Sequence, residues 1–260
     1  MEQMKISWLL LTWNRATVVE EALRHNASAA GCACEEIVWV DNGSEAGDRE
    51  RIAGAVAITA AELGATVTQV RYPENRGVAR GYNTALALAR GTHVVITGCD
   101  MRMPQNWLAE MSWACANVPR AGIVSTFVMP LEKFPHCLRG EAFTQEGVAF
   151  RPAAPFGRRF LSRALHLQIG YFREFGASLY GWEDIAWSAR AERVCSDLGL
   201  RSLAFVDRVA ANIHSNEPRG QFQDDGAYVA WKRQQSKDAA PLYEAARSLR
   251  FPRFSPFDLT

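Results

Sequence analysis

Four groups of polar residues in this sequence have types and positions suited to chemistry. Thr12-Trp13-Asn14-Arg15, Asp41-Asn42-Gly43-Ser44 and Gly98-Cys99-Asp100 each close an apolar run, and Gly181-Trp182-Glu183-Asp184 stands further along. A carboxylate such as Asp41 accepts hydrogen bonds from a base N–H or a ribose hydroxyl, and it equally suits a turn that caps the following segment. Arg15 offers a planar fork to phosphate with Thr12 and Asn14 beside it, while Asn14 also suits a helix N-cap. Asp100, a lone carboxylate at the end of an apolar stretch, fits a hard divalent cation such as Mg2+ or Mn2+, or the N-cap of the next helix. Glu183 and Asp184 are adjacent acids where a proton could be taken up, although acids in a first helical turn also answer the dipole. Trp182 next to them offers a ring face for stacking. Arg76-Gly77 precedes another helix, whose N-terminus can approach phosphate or ribose without a GxGxxG loop.

The elements that must position these groups alternate in type. Ile6 to Leu11 is a continuous apolar run, as a strand covered on both faces requires, and Thr17 to Ala30 then reads as a helix. Glu36 to Val40 predicts a second strand, Arg49 to Leu63 a helix, Thr66 to Tyr72 a third strand, Gly77 to Ala89 a helix, and Thr92 to Thr97 a fourth strand. This βαβαβαβ order implies a parallel, doubly wound sheet, in which ligands bind beyond the carboxyl ends of the strands. The polar groups at 12–15, 41–44 and 98–100 would then share one pocket. Beyond Asp100 the pattern predicts a helix over Pro104 to Ala116, a strand over Ala121 to Met129, long loops over Pro130 to Arg159, strand or helix over Phe160 to Gly170, a helix over Gly181 to Leu198, a strand over Arg201 to Val206 and a polar helix around Tyr228 to Lys237. Arg151, Arg158, Arg159 and Arg163 read as a solvated basic face, or as a contact for an anionic group such as a diphosphate.

Bulk properties exclude several classes. The chain has 260 residues, enough for one large α/β unit, with Lys plus Arg at 29 against 28 for Asp plus Glu, so no global field draws it to nucleic acid or an anionic membrane. No stretch reaches the roughly 18 apolar residues of a membrane span. Met1 to Lys5 lacks the basic leader of a signal peptide, so no integral membrane contact is expected. The six cysteines form no CxxC pair and read as reduced, in a cytoplasmic setting.

Taken in order, the landmarks Thr12 to Arg15, Val40 to Ser44, Asn75-Arg76-Gly77 leading to Asn83, Asp100 followed by Pro104 and Trp107-Leu108, and Gly181 to Asp184 resemble those of GT-A inverting glycosyltransferases of family 2. The resemblance spans roughly Ile6 to His214. It implies an α/β GT-A fold, with a Rossmann-like, mostly parallel sheet, helices on both faces and an acceptor-binding C-terminal half. Residues 1–100 would form the donor subdomain, 101–222 the acceptor-binding and catalytic subdomain and 223–260 a helical tail, all in one compact unit. The implied reaction moves a sugar from a nucleoside-diphosphate sugar, a UDP-sugar by preference, to an acceptor hydroxyl with inversion, assisted by Mn2+ or Mg2+. The resemblance assigns Thr12, Asn14, Arg15, Asp41, Arg76, Gly77, Asn83, Cys99 and Trp182 to the donor, Asp100 and His214 to the metal, Asp184 to the general base and Glu183 to orienting the acceptor. Two departures stand out. Gly98 occupies the place of the first acid in the family's Asp-x-Asp, and Ala186 the place of an acid often found two residues after Asp184.

Two further readings accompany this one. A nucleotide-sugar or glycan-binding protein that lost catalysis with its first metal acid would bind a donor without hydrolysing it. A nucleotidyltransferase would carry a Gly-rich basic loop after its first strand, which Thr12 to Arg15 does not provide. The acceptor could be a saccharide, a lipid-linked glycan, a protein or a modified nucleobase, with balanced charge and no membrane segment weighing against lipid.

Overall fold

The structure, a computed structural model, describes residues 4–155, 157–213, 222 and 224–248. Three buried runs, β1 (Ile6–Thr12), β2 (Glu36–Asp41) and β4 (His93–Ile96), with the more exposed β3 (Thr66–Arg71), pair in parallel in the order β3-β2-β1-β4. The helices α1 (Ala16–Ser28), α2 (Ala46–Leu63) and α3 (Val78–Leu88) connect them. Alternate residues of the strands serve opposite faces. Trp8, Leu10, Ile37 and Trp39 pack with Leu23 of α1 and Ile52 of α2, whereas Leu9, Leu11, Val38 and Val40 pack with Ala85 and Leu86 of α3. Burial on both faces is why β1 and β2 carry unbroken apolar runs, each large side chain contributing about 1.5–3 kcal/mol of transfer free energy.

After β5 (Met101–Arg102) and α4 (Trp107–Asn117), the sheet continues through β6 (Ala121–Phe127). Two single turns of 3-10 helix, Leu131–Lys133 and Pro135–Cys137, lead to β7 (Phe143–Gln145) and β8 (Val148–Pro152), and then to β9 (Arg158–Ser162). The expectation of long loops over 130–159 is therefore corrected. Glu146 and Gly147, both with positive φ (48° and 81°), form the two-residue turn that joins β7 to β8. Such a turn matches strand twist, but Glu-Gly is not the usual Asn-Gly signal. The remaining elements are α5 (Arg163–Ile169), α6 (Glu183–Asp197), β10 (Arg201–Val209), β11 (Ala211–Asn212) and α7 (Asp225–Ser248).

The nine-stranded sheet has the order β3-β2-β1-β4-β9-β6-β10-β8-β7. β9 is inserted antiparallel between β4 and β6, β10 runs parallel to β6, and β8 and β7 complete an antiparallel edge. The expected mixed α/β, Rossmann-like sheet with helices on both faces is thus present. α5 and α6 cover the α3 face through Leu165, Ile169, Trp187 and Ala191, while Trp107 and Met111 of α4 cover the other. Among the described residues, no helix is long and apolar enough to cross a membrane. All six cysteines are free thiols.

Candidate active site

A cleft of about 440 Å³ opens beyond the carboxyl ends of β1 and β4, where a sheet of this type leaves a crevice. Thr12, Trp13, Asn42, Thr97, Gly98, Cys99 and Asp100 line it from the first half of the chain. From the second half come Arg158 and Arg159 of β9, Tyr180, Glu183 and Asp184 around the start of α6, and Tyr228 and Lys232 of α7.

The strand-end loops are fastened to one another. Asn14 and Arg15 both adopt left-handed backbone (φ 53° and 59°), a conformation that costs a non-glycine residue of order 1 kcal/mol. Asp48 of α2 holds this turn, accepting from the Arg15 and Ala16 amides at 2.8 and 3.2 Å, and so caps α1 across the interface. Asn14 does not cap α1 with its own side chain. Its Oδ1 accepts from the Glu45 amide at 2.8 Å, and its amide donates to Ser44 Oγ at 2.8 Å. Thr12 Oγ1 accepts from the Trp39 indole at 2.8 Å. Asp41 is fully buried, takes the Ser44 amide on Oδ1 at 3.1 Å, and does not reach the cleft lining. Its neighbour Asn42 does line the cleft, its amide group spanning Asn75, the Gly77 carbonyl and the Arg76 N–H.

Other sequence-selected residues are likewise committed elsewhere. Asn83 clamps the Phe172 backbone in both directions, at 2.8 and 2.7 Å. The Arg76 side chain pairs with Glu74 at 3.2 Å, and the Val78 amide after Gly77 donates to the Leu179 carbonyl at 3.0 Å. Trp182 stacks on Tyr243 of α7 with ring centroids 4.6 Å apart and donates to the Ser236 carbonyl at 2.7 Å. Cys99 lines the cleft, and burial pushes its thiol up to about 12. Asp100 lines the cleft too, and its carbonyl accepts from the Ile213 amide at 2.8 Å, so the chain passes beside it there. His214 lies outside the described residues.

The Glu183–Asp184 pair is placed by the first turn of α6. Glu183 is buried, with Oε2 accepting from the Gly181 amide at 2.6 Å; burial first, and the Asp184 charge second, push its carboxyl up to about 7. Asp184 is half-exposed to the cleft and pairs with Arg159 Nη2 at 2.5 Å. Arg159 is itself 2% exposed, its guanidinium lying 4.4 Å from the Trp187 ring centroid and 5.1 Å from that of Phe172. This stacking makes burial of the cation tolerable. The Arg158–Arg159 doublet is therefore cleft wall, and the reading of it as a solvated face is corrected.

α7 closes the site. Gly181 sits at φ 121°, and a Cβ there would lie 2.8 Å from Ser236 Oγ, so only glycine lets α7 pass this close. Gln235 holds the same segment, accepting from the Leu179 amide on Oε1 at 2.8 Å and from Ser178 Oγ on its carbonyl at 3.0 Å. Trp13, Phe222, Tyr228 and Trp231 form one aromatic cluster, with centroids 5.3 to 6.3 Å apart. Lys232 extends over the Tyr180 ring, 3.9 Å from its centroid. Sequence reasoning missed Trp13, Tyr180, Tyr228 and Lys232 as site residues; the one available signal was Tyr228 and Lys232 four apart on a single helical face.

Comparison with known proteins agrees with this fold. The described fold is similar to a mannosyltransferase from Pyrobaculum calidifontis in complex with GDP-Man and Mn2+, with TM-score 0.62 and 22% identity over 98% of this chain and 67% of that one. S. aureus TarS 1–349 in complex with UDP-GlcNAc gives TM-score 0.60 and 17% identity, over 83% of this chain and 60% of that one. GalNAc-T7 with UDP, GalNAc and Mn2+ gives 0.56 and 13%, over 82% and 44%. No curated protein matches the sequence. Residues 7–175, well over half of the chain, match Glycosyl transferase family 2, and the chain belongs to that family.

Proposed function

We propose that this chain transfers a sugar from a nucleoside-diphosphate sugar, a UDP-sugar by preference, to an acceptor hydroxyl with inversion at the anomeric carbon. The observation that carries this reading is a single cleft at the strand ends, lined by Asp100 and Arg158 together with the Asp184–Arg159 pair. Residues 1–100 supply the donor wall and 101–222 the acceptor wall. The acceptor oxygen bonds to the anomeric carbon from the face opposite the diphosphate. The bond from that carbon to the diphosphate oxygen breaks, its electron pair leaving with the diphosphate. The acceptor proton passes to the Asp184 carboxylate, which Arg159 holds in place. Glu183 orients the acceptor. A second assignment, Glu183 as base, draws on its carboxyl lying near 7, where a base works well at neutral pH.

The mannosyltransferase and GalNAc-T7 structures contain Mn2+. A divalent ion supplies charge neutralisation of the diphosphate when bound. In this chain Asp100 is the one carboxylate of the Gly98-Cys99-Asp100 turn, the Cys99 thiol is pushed up to about 12, and no cluster of three or more metal-binding side chains exists among the described residues. Of the two residues expected to hold an ion, the described structure contains Asp100 alone, and no step is assigned to a resident ion. An ion at Asp100 would come with the nucleotide, whose phosphates would be its main ligands.

Thermal-shift measurement with UDP-, GDP- and dTDP-sugars, with and without Mn2+, tests the reading, since a bound donor raises the melting temperature by mass action. Stabilisation by at least one donor is expected. No stabilisation by any of them overturns the proposal.

A further inference from the structure

The cleft contains two cations that no described residue pairs with. Arg158 opens β9 on the cleft side of Gly98, where a Cβ would lie 3.6 Å from Arg158 Nη2, 2.9 Å from Asp100 Oδ1 and 2.8 Å from Met101 Cγ. Lys232 arrives from α7, between the rings of Tyr180 and Tyr228 at 3.9 and 5.3 Å from their centroids. Neither side chain takes part in a hydrogen bond or ion pair among the described residues. Arg159, by contrast, is matched by Asp184.

Burial pulls both the Arg158 guanidinium and the Lys232 ammonium below their ordinary values, and in each case Asp100 is the strongest opposing charge. Two desolvated cations thus face one carboxylate across open volume. A buried cation without an acid or hydrogen-bond acceptor is costly even where rings face it, as at Lys232, and an anion entering the space relieves that cost. The anion must carry more than one charge and present several oxygens. A diphosphate does both, and the Arg fork can bind two of its oxygens at once while Lys232 acts as a point charge.

Gly98 makes the arrangement sterically consistent. A side chain at 98 would run into the Asp100 carboxylate and Met101, and an acid there would stand beside Arg158 and occupy it. An acid at 98 would thus compete with phosphate for the Arg158 guanidinium.

We infer that Arg158 and Lys232 bind the diphosphate of the donor and take up the charge that leaves with it, in place of a cation held between two strand-end acids. This rests on the reading above that the donor is a nucleoside-diphosphate sugar. Both side chains touch the substrate in this arrangement. Lys232 also couples donor binding to the position of α7.

The test is calorimetric binding of UDP and GDP to the full chain in EDTA and in Mn2+, with Arg158→Gln and Lys232→Met beside the wild type. The wild type should bind at least one diphosphate in EDTA within about threefold of its affinity in Mn2+. Each variant should lose about 10- to 100-fold for that diphosphate, the range for a charge-assisted hydrogen bond, and clearly less for the matching monophosphate. Melting temperatures of the ligand-free variants should stay within about 3 °C of the wild type, which separates lost binding from lost folding. If Arg158→Gln fails this control, Lys232→Met and Arg158→Lys carry the test. Unchanged diphosphate affinity in the folded variants overturns the inference, as does a wild-type affinity that collapses more than about 100-fold in EDTA. Failure of the wild type to bind any nucleoside diphosphate in either condition overturns the donor reading itself.

Discussion

The two walls of the cleft are built on different terms. On the wall from β1, β2 and α3, polar side chains chiefly hold the protein to itself: Asn14 to Glu45, Thr12 to Trp39, Asn42 to the 75–77 turn, and Asn83 to Phe172. On the wall from β9, α6 and α7, charged groups lie against the cleft, with one matched pair, Arg159 and Asp184, and two cations left for a ligand. Chemistry should therefore respond to substitution on the second wall, and stability to substitution on the first. Each of the following experiments can break that division.

The largest effect belongs to Asp184→Asn. Removing a general base lowers rates by about 10²- to 10⁴-fold, while the donor-induced thermal shift should persist because Arg158, Lys232 and the strand-end residues all remain. The measurement is transfer rate alongside thermal shift. A fully active variant would remove Asp184 from the role of base and leave Glu183 as the carboxylate to test.

Asn83→Ala addresses the other wall. It deletes a side chain that is buried and bonded both to the Phe172 carbonyl and to its amide, leaving both backbone groups without these partners. Two such losses cost about 2–4 kcal/mol, read as a lower denaturant midpoint at unchanged slope. Chemistry in the protein that remains folded should change far less than in Asp184→Asn. A large fall in turnover with little loss of stability would contradict the division of walls.

Glu183 belongs to the second wall, at the start of α6, and its pH dependence has a definite sign. Its carboxyl is raised in the folded protein, so the fold binds that proton more tightly than the unfolded chain does. The contribution to stability is complete below the ordinary value of 4.5 and is lost as pH rises through about 7. The wild-type melting temperature should accordingly fall across this interval, with Glu183→Gln flattening the fall and keeping an oxygen for the Gly181 amide. A variant with the wild-type pH profile would show that Glu183 titrates normally in the fold.

Much of the first wall was legible in the sequence because its strands are covered on both faces. The apolar runs of β1, β2 and β4 therefore had to be continuous, and their ends had to border a crevice, which Thr12, Asn42 and Asp100 line and Asp41 does not. What each polar residue does there was not legible. Asn83 meets Phe172 across 89 positions, and only the folded chain brings them together. The second wall was largely hidden. β7 and β8 are three and five residues long, too short to display a period, and their turn lacks the usual asparagine. Arg158 and Arg159 left two readings open, a solvated face or an anion contact, because a guanidinium is ordinarily solvated; the rings of Trp187 and Phe172 that accept Arg159 come from later in the chain. Likewise α7 was recognisable as a polar helix, but nothing local indicated that Gly181 would let it lie against the site.

The smallest effect is expected at Asp48, and it tests whether the first wall is held together as a unit. Asp48 belongs to α2 yet receives the first amides of α1, and it secures two consecutive left-handed residues, Asn14 and Arg15. Asp48→Ala should cost about 1 kcal/mol, the usual value of an N-cap carboxylate, seen as a modest drop in denaturant midpoint. Because Trp13 of the cleft lining directly precedes the turn that Asp48 secures, donor affinity should weaken in step with that loss, whereas the rate at saturating donor should hold. A fall in saturated rate without any change in affinity would mean that the strand-end loops shape the reacting groups directly, and the contrast between a structural wall and a chemical one would no longer describe this cleft.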